Sequence, residues 1–205
     1  MIVIVDYGMG NLGSILNMLK RIGTAAAISS KIEEIEKAEK IILPGVGAFD
    51  NGMQNIDRLG LLPVLNEKAM HQKTPLLGIC LGMQLLARKS EEGILPGLGW
   101  LDAETVRFKF SNGSNGMRVP HMGWNTIQIE RSSPLLAELD GESRFYFVHS
   151  YHLVCSQRQD SLALTPYGYN FTSIIQRGNI YGTQFHPEKS HRYGMKILDN
   201  FAKRV

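Results

Sequence analysis

The sequence predicts an α/β fold: one domain with an open, largely parallel sheet flanked by helices, and mixed or antiparallel strands added in its second half. Three observations carry this. In the first half, short apolar runs alternate with stretches whose apolar residues recur at helical spacing. Glycines and prolines punctuate the joints between them. In the second half the helical stretches give way to closely spaced strand-like segments.

Each element follows in order. "MIVIVDYG" reads as a buried first strand, and the turn at Gly8 and Gly10 leads into "NLGSILNMLKRIG", apolar at Leu12, Ile15, Leu16 and Leu19 and stopped by Gly23. "AAAIS" is a second strand, "KIEEIEKA" a short charged helix, "KIILPG" a third strand, and residues 50 to 72 a helix. "TPLLGI", opened by Pro75, suits a buried parallel strand. The good helix formers Met83, Leu85, Leu86 and Ala87, closed by Arg88 and Lys89, predict the next helix. Beyond it, "ETVRFKF", "TIQIE", "RFYFVHSYHLV" and "TSIIQRGNIYGTQFH" are strand-like, and a last helix spans roughly 192 to 204. No linker or repeat interrupts residues 1–205, and the polar "SNGSNG" at 111 to 116 is expected to be a mobile loop.

Composition narrows the class. At 205 residues, 43% hydrophobic and 20% charged, the chain can bury one sizeable core and is neither disordered nor membrane-embedded. Its 22 basic and 19 acidic residues are scattered, so the net charge of +3 leaves no footprint for nucleic acid or anionic lipid. Two cysteines, Cys80 and Cys155, are too few for a disulfide scaffold, and no signal-peptide pattern opens the sequence, so a reducing cytoplasm is expected.

Ligands of open α/β sheets bind at the carboxyl ends of strands, and three turns there carry chemistry. The first is "GICLG", where Cys80 sits between strand and helix with the Gly-x-Cys-x-Gly spacing of a nucleophile elbow. The glycines permit a tight turn, and the helix N-terminus favours thiolate over thiol. The alternative is a buried structural cysteine. The second turn, "LPGVGAF" at 43 to 49, can aim backbone N–H groups at an anion, or can be simply a tight loop. In the third, "YGTQFHPEKS" at 181 to 190, His186 and Glu188 lie two apart and share a face of an extended segment. Pro187 keeps His186 out of helical geometry. A carboxylate can orient the imidazole while the imidazole takes a thiol proton; by itself such a tripeptide is more often a surface turn. Nucleophile, base and orienting acid at the strand ends of one sheet favour the catalytic reading.

"PGVGAF", "GICLGMQLL" and "GTQFHPEKS" together resemble class I, triad-type glutamine amidotransferases, and the resemblance covers essentially the whole chain. "DYGMGNLGS" at 6 to 14, "VPHMGWN" at 119 to 125 and "FYFVHSY" at 145 to 151 are similar to the glutaminase subunits of imidazole glycerol phosphate synthases. The resemblance implies a flavodoxin-like single domain, a Cys80, His186 and Glu188 triad, and no cofactor or metal. It implies oxyanion donors from the backbone N–H groups of Val46 and Leu81, with the Gly45–Val46 peptide reoriented before it serves. Gly47, Gln84, Ser150 and Tyr151 would hold the substrate glutamine. For Gln84 the alternative is an exposed helix residue, and for His149 and Tyr151 it is aromatic packing in a strand.

The family's partner is a (β/α)8-barrel cyclase that receives the ammonia through a tunnel and makes imidazole glycerol phosphate and an aminoimidazole carboxamide ribonucleotide. The resemblance implies that residues 119 to 125 and the turn at Asn11 face that barrel, with Trp124 as an anchor and His121 in contact or packed locally. Core packing is the alternative for Trp124. His191, Arg192 and Tyr193, after the triad, are similar instead to paralogous glutaminases that serve sugar amidination in surface polysaccharide synthesis. A cysteine peptidase or redox-stress protein would not be expected to combine Gln84, the PGVG turn and His-Pro-Glu, and a non-catalytic binding module would lack a triad member.

Overall fold

The computed structural model describes residues 1–110 and 117–205, so the loop expected at 111–116 lies outside the described residues. The first half runs β1 (Ile2–Val5), α1 (Leu12–Arg21), β2 (Ala26–Ser29), α2 (Ile32–Glu36), β3 (Lys40–Gly45), α3 (Phe49–Arg58), α4 (Leu62–Asn66), a π-helical turn (Glu67–His71), β4 (Leu76–Cys80) and α5 (Leu81–Leu85). The second half runs β5 (Lys89–Ser90), β6 (Ala103–Arg107), β7 (His121–Thr126), β8 (Gln128–Ile129), β9 (Arg144–His149), β10 (Tyr151–Cys155), β11 (Ser161–Tyr167), β12 (Tyr169–Arg177), β13 (Ile180–Thr183) and α6 (His191–Lys203).

Among the described residues the main sheet has the order β2-β1-β3-β4-β13-β12-β10-β6-β5, with β11 and β8 joined through β12. From β2 to β13 the pairings are parallel, and β13-β12, β12-β10 and β10-β6 are antiparallel. β7 and β9 form a separate antiparallel pair. The expected switch from parallel to antiparallel pairing is therefore present. Residues alternate between the two faces of each strand. Val3 and Val5 pack with Leu43, Phe49 and Leu85, whereas Ile2 and Ile4 pack with Ile15, Leu19, Ile197 and Phe201. Burying each such aliphatic or aromatic side chain contributes about 1.5–3 kcal/mol.

Several elements depart from expectation. The single helix read over 50 to 72 is α3, α4 and the π turn, because Gly60 adopts φ +65° and Pro63 then opens a new helix. The helix after Cys80 ends at Leu85 rather than at Lys89. Its last carbonyls are taken from outside: Leu85 O accepts from Leu98 N at 2.8 Å, Leu86 O from Leu101 N at 3.0 Å, and Ala87 O from Gly99 N at 3.1 Å. Arg88 and Lys89 pair with Asp102 and Glu104 instead of closing the helix. "RFYFVHSYHLV" splits at Ser150, where the chain passes from the small sheet (β9) into the main one (β10). β5, β7 and β11 were not distinguished as strands in the sequence; Pro166 lies inside β11.

Candidate active site

Register brings the three turns together. Gly45 pairs with Cys80 across β3 and β4, and Ile79 pairs with Thr183 across β4 and β13, so the segment beginning at Gln184 leaves the sheet beside Cys80. Cys80 adopts φ +52°, ψ −109°, a strained conformation for a side-chain-bearing residue. The glycines make that turn possible by close approach: a Cβ at Gly82 would stand 1.8 Å from Leu43 O, and one at Gly78 would stand 2.7 Å from Gly82 O.

His186 and Glu188 are almost completely buried, and His186 Nδ1 meets Glu188 Oε1 at 2.8 Å. Backbone contacts fix this segment on β9: His186 N donates to Tyr146 O at 3.0 Å, and Ser190 Oγ accepts from Tyr146 N and donates to His186 O. With Nδ1 committed, Nε2 is left buried and without a hydrogen-bond partner. Burial pushes the imidazole down, but the Cys80 sulfur and the Glu188 carboxylate more than reverse this and raise its pKa to about 10. Strand register sets this segment beside Cys80, and the carboxylate holds the ring there. Gln184 Nε2 donates to Cys80 Sγ at 3.7 Å. Sequence reading missed Gln184, although 184, 186 and 188 share the period of two that singled out His186 and Glu188.

A cavity of about 340 Å³ opens over the sulfur, lined by Val46, Gly47, Cys80, Leu81, Gln84, Glu92, Pro120, Val148, His149, Ser150 and Tyr151. Its size suits a small ligand. It gathers the triad nucleophile, both expected oxyanion residues and all four expected substrate residues. Gln84 is buried, not an exposed helix residue; its Nε2 donates to Tyr151 O at 3.0 Å and to Gln184 Oε1 at 3.1 Å. Both amide hydrogens are thereby used, so toward a ligand Gln84 offers an acceptor. Glu92 is a lining residue that no sequence signal marked. Burial raises its pKa, the Phe49 N–H donating at 2.9 Å opposes that, and Asp50 adds to it. Tyr7, fully buried, donates to Pro44 O at 2.5 Å and so braces the 44–47 segment. Burial, reinforced by Cys80, holds its phenol far above the usual range.

The expected partner-facing residues divide. Asn11 precedes α1, is exposed, and its side chain makes no capping bond. Trp124 is 47% exposed, stacked on His191 at 5.3 Å, which corrects the core-packing alternative. His121, expected at the partner or packed locally, is 3% exposed and inward: the pleat of β7 that turns Met122 and Trp124 out turns His121 in.

The wider depression of about 830 Å³ near Arg131, His152, Cys155 and Tyr169 does not include Cys80. Among the described residues, no group of three His, Cys, Asp or Glu side chains could hold a metal ion, and no helix is long and apolar enough to cross a membrane.

Against known proteins, the family model of class-I glutamine amidotransferases matches residues 3–205. The chain belongs to the class-I glutamine amidotransferase family. Similar relatives share the narrower name. The "Imidazole glycerol phosphate synthase subunit HisH 2" of Methanococcus maripaludis is 54% identical, and that of Pseudomonas aeruginosa 50%, each over 100% of both chains. The "Imidazole glycerol phosphate synthase subunit HisH" of Leptospira interrogans is 45% identical over 98% of this chain and 99% of its own. Among solved structures, PurLQS from Thermotoga maritima has the same fold, with a TM-score of 0.72 at 19% identity over 98% of this chain and 96% of that one. Within this family the Cys80 elbow, a buried imidazole and its carboxylate are the expected arrangement of a glutaminase centre.

Proposed function

We propose that this chain is the glutaminase subunit of an imidazole glycerol phosphate synthase, acting in histidine biosynthesis as one domain over residues 1–205. It hydrolyses glutamine and passes the ammonia to a (β/α)8-barrel cyclase subunit. The observation that carries this reading is the strained Cys80 elbow in the lining of a pocket, with the buried His186–Glu188 pair on the neighbouring strand end.

Cys80 Sγ, as thiolate, attacks the side-chain carbonyl carbon of glutamine. The C–O double bond opens, and negative charge gathers on oxygen, facing the backbone N–H groups of Leu81 and Val46. As the first helical residue, Leu81 has no acceptor for its N–H within α5. The C–N bond then breaks, and His186 gives its proton to the departing nitrogen, releasing ammonia. Water, losing a proton to His186, cleaves the thioester, returning the thiolate and glutamate. Glu188 holds the ring by Nδ1 throughout, which turns Nε2 to the reacting atoms. Gly47, Gln84, Ser150 and Tyr151 orient the amino-acid end of glutamine, and the Glu92 carboxylate opposes its α-ammonium charge. Asn11, Met122 and Trp124 form the face for the barrel, where an exposed aromatic supplies an anchor.

Direct transfer suits the chemistry, because ammonia released to water is protonated and lost as a nucleophile. The test is a partition. With the barrel cyclase subunit present, Cys80→Ala is expected to abolish glutamine-dependent formation of imidazole glycerol phosphate and leave formation from added ammonium salt intact. Loss of both activities, or retention of the glutamine-dependent one, contradicts the reading.

A further inference from the structure

Strand β7 shows solvent two apolar side chains, Met122 at 62% and Trp124 at 47% exposure. Its inner face carries a run of hydrogen bonds whose direction can be worked out atom by atom. The Tyr151 carbonyl can only accept, so His149 Nδ1, 2.7 Å away, carries a hydrogen. Burial holds His149 neutral, its pKa well below the usual value, which leaves Nε2 as an acceptor. His121 Nδ1, at 3.1 Å, must then be the donor to it. His121 is neutral too, pushed down to about 4 by burial, so its Nε2 accepts from Asn125 Nδ2 at 3.3 Å. Asn125 cannot be flipped, since its Oδ1 accepts from Thr126 N at 2.9 Å and its Nδ2 also donates to Pro166 O at 2.9 Å.

The chain continues into the pocket. Tyr151 O accepts a second bond, from Gln84, whose amide also reaches Gln184, and Gln184 donates to the Cys80 sulfur. A connected path thus runs from the strand behind Met122 and Trp124 to the sulfur. It has one fixed sense along its histidine section. We propose that His121 and His149 are positioning residues that tie the seating of strand β7 to the glutamine pocket, by fixing the Tyr151 carbonyl on which Gln84 hangs. A partner pressed on Met122 and Trp124 thereby acts on glutamine binding without touching glutamine. This rests on reading the cavity as a glutamine site.

Packing is the competing role, and it makes the opposite prediction. His121 stacks between Phe147, with ring centres 4.8 Å apart, and Tyr167, at 4.0 Å. A phenyl ring at 121 preserves that stacking and removes the donor. An asparagine loses the ring but keeps an N–H near the Nδ1 position. The measurement is KM and kcat for glutamine, by glutamate release, in the complex with the barrel cyclase subunit. His121→Phe is expected to raise KM about tenfold, as for one unmet buried hydrogen bond, while His121→Asn stays within about threefold of wild type. Co-elution with the barrel cyclase subunit in gel filtration checks that each complex is assembled.

A His121→Phe complex with unchanged KM, or a His121→Asn complex impaired as much as His121→Phe, overturns the proposal. Should the 121 variants not assemble, His149→Phe against His149→Asn repeats the comparison, because asparagine there keeps the donor to Tyr151 O; equal KM values for that pair also overturn it. A wild-type complex that releases no glutamate refutes the glutamine reading itself, a different result from either of these.

Discussion

Cys80 and Cys155 each end a strand, β4 and β10 respectively, yet their surroundings have little in common. Cys80 turns directly into a helix at φ +52°, between glycines whose missing side chains make room for the turn. Its sulfur accepts from Gln184 and influences His186. Cys155 is followed by irregular chain, and burial with the nearby Asp160 charge pushes its thiol up to about 12 against the opposing Thr172 hydroxyl. It stays a thiol at neutral pH. A strand end supplies position, but reactivity needs the tight turn and positive charge beside the sulfur.

The contrast can be broken stepwise. Removing the base has the largest expected effect: His186→Ala should lower glutamine turnover by roughly 10²–10⁴-fold, measured as glutamate release by the complex. Glu188→Gln is expected to cost less, about 5- to 100-fold, because the ring loses a charged partner but keeps a polar one. It should also lower the His186 pKa from about 10, since Glu188 is one of the groups that raise it. The alkaline limit of turnover, where His186 loses the proton it gives to the leaving nitrogen, then moves to lower pH. Equal loss from both variants would assign Glu188 more than an orienting role. Cys155→Ser should leave turnover within about twofold, as expected of a side chain away from the chemistry.

Much of this contrast was legible in the sequence. Gly-x-Cys-x-Gly and His-Pro-Glu were legible in combination, as nucleophile, base and orienting acid at the strand ends of one sheet, although the tripeptide alone reads as a surface turn. Strands β1, β3 and β4 were equally plain, being buried on both faces and largely apolar in character. The helix after Cys80 was overextended because what ends it is tertiary: the Leu98 and Leu101 amides, distant in sequence, take its last carbonyls. Glu92 was invisible for the same reason, placed on the pocket wall by a loop and held by the Phe49 amide. His121 was left between partner contact and local packing because a single segment does not reveal which side of a strand pair is buried; its pairing with His149 decides for packing. Gln184 was overlooked although its period was in view.

The central claim is that one sulfur of two is a glutamine-directed nucleophile, and a glutamine-mimicking diazo-ketone tests it most directly. Incubated with the chain and its barrel subunit and followed by peptide mass mapping, the reagent should form one adduct, on Cys80, with Cys155 unmodified and with excess glutamine protecting. An adduct confined to Cys155, or no adduct in an assembled complex, would contradict the account.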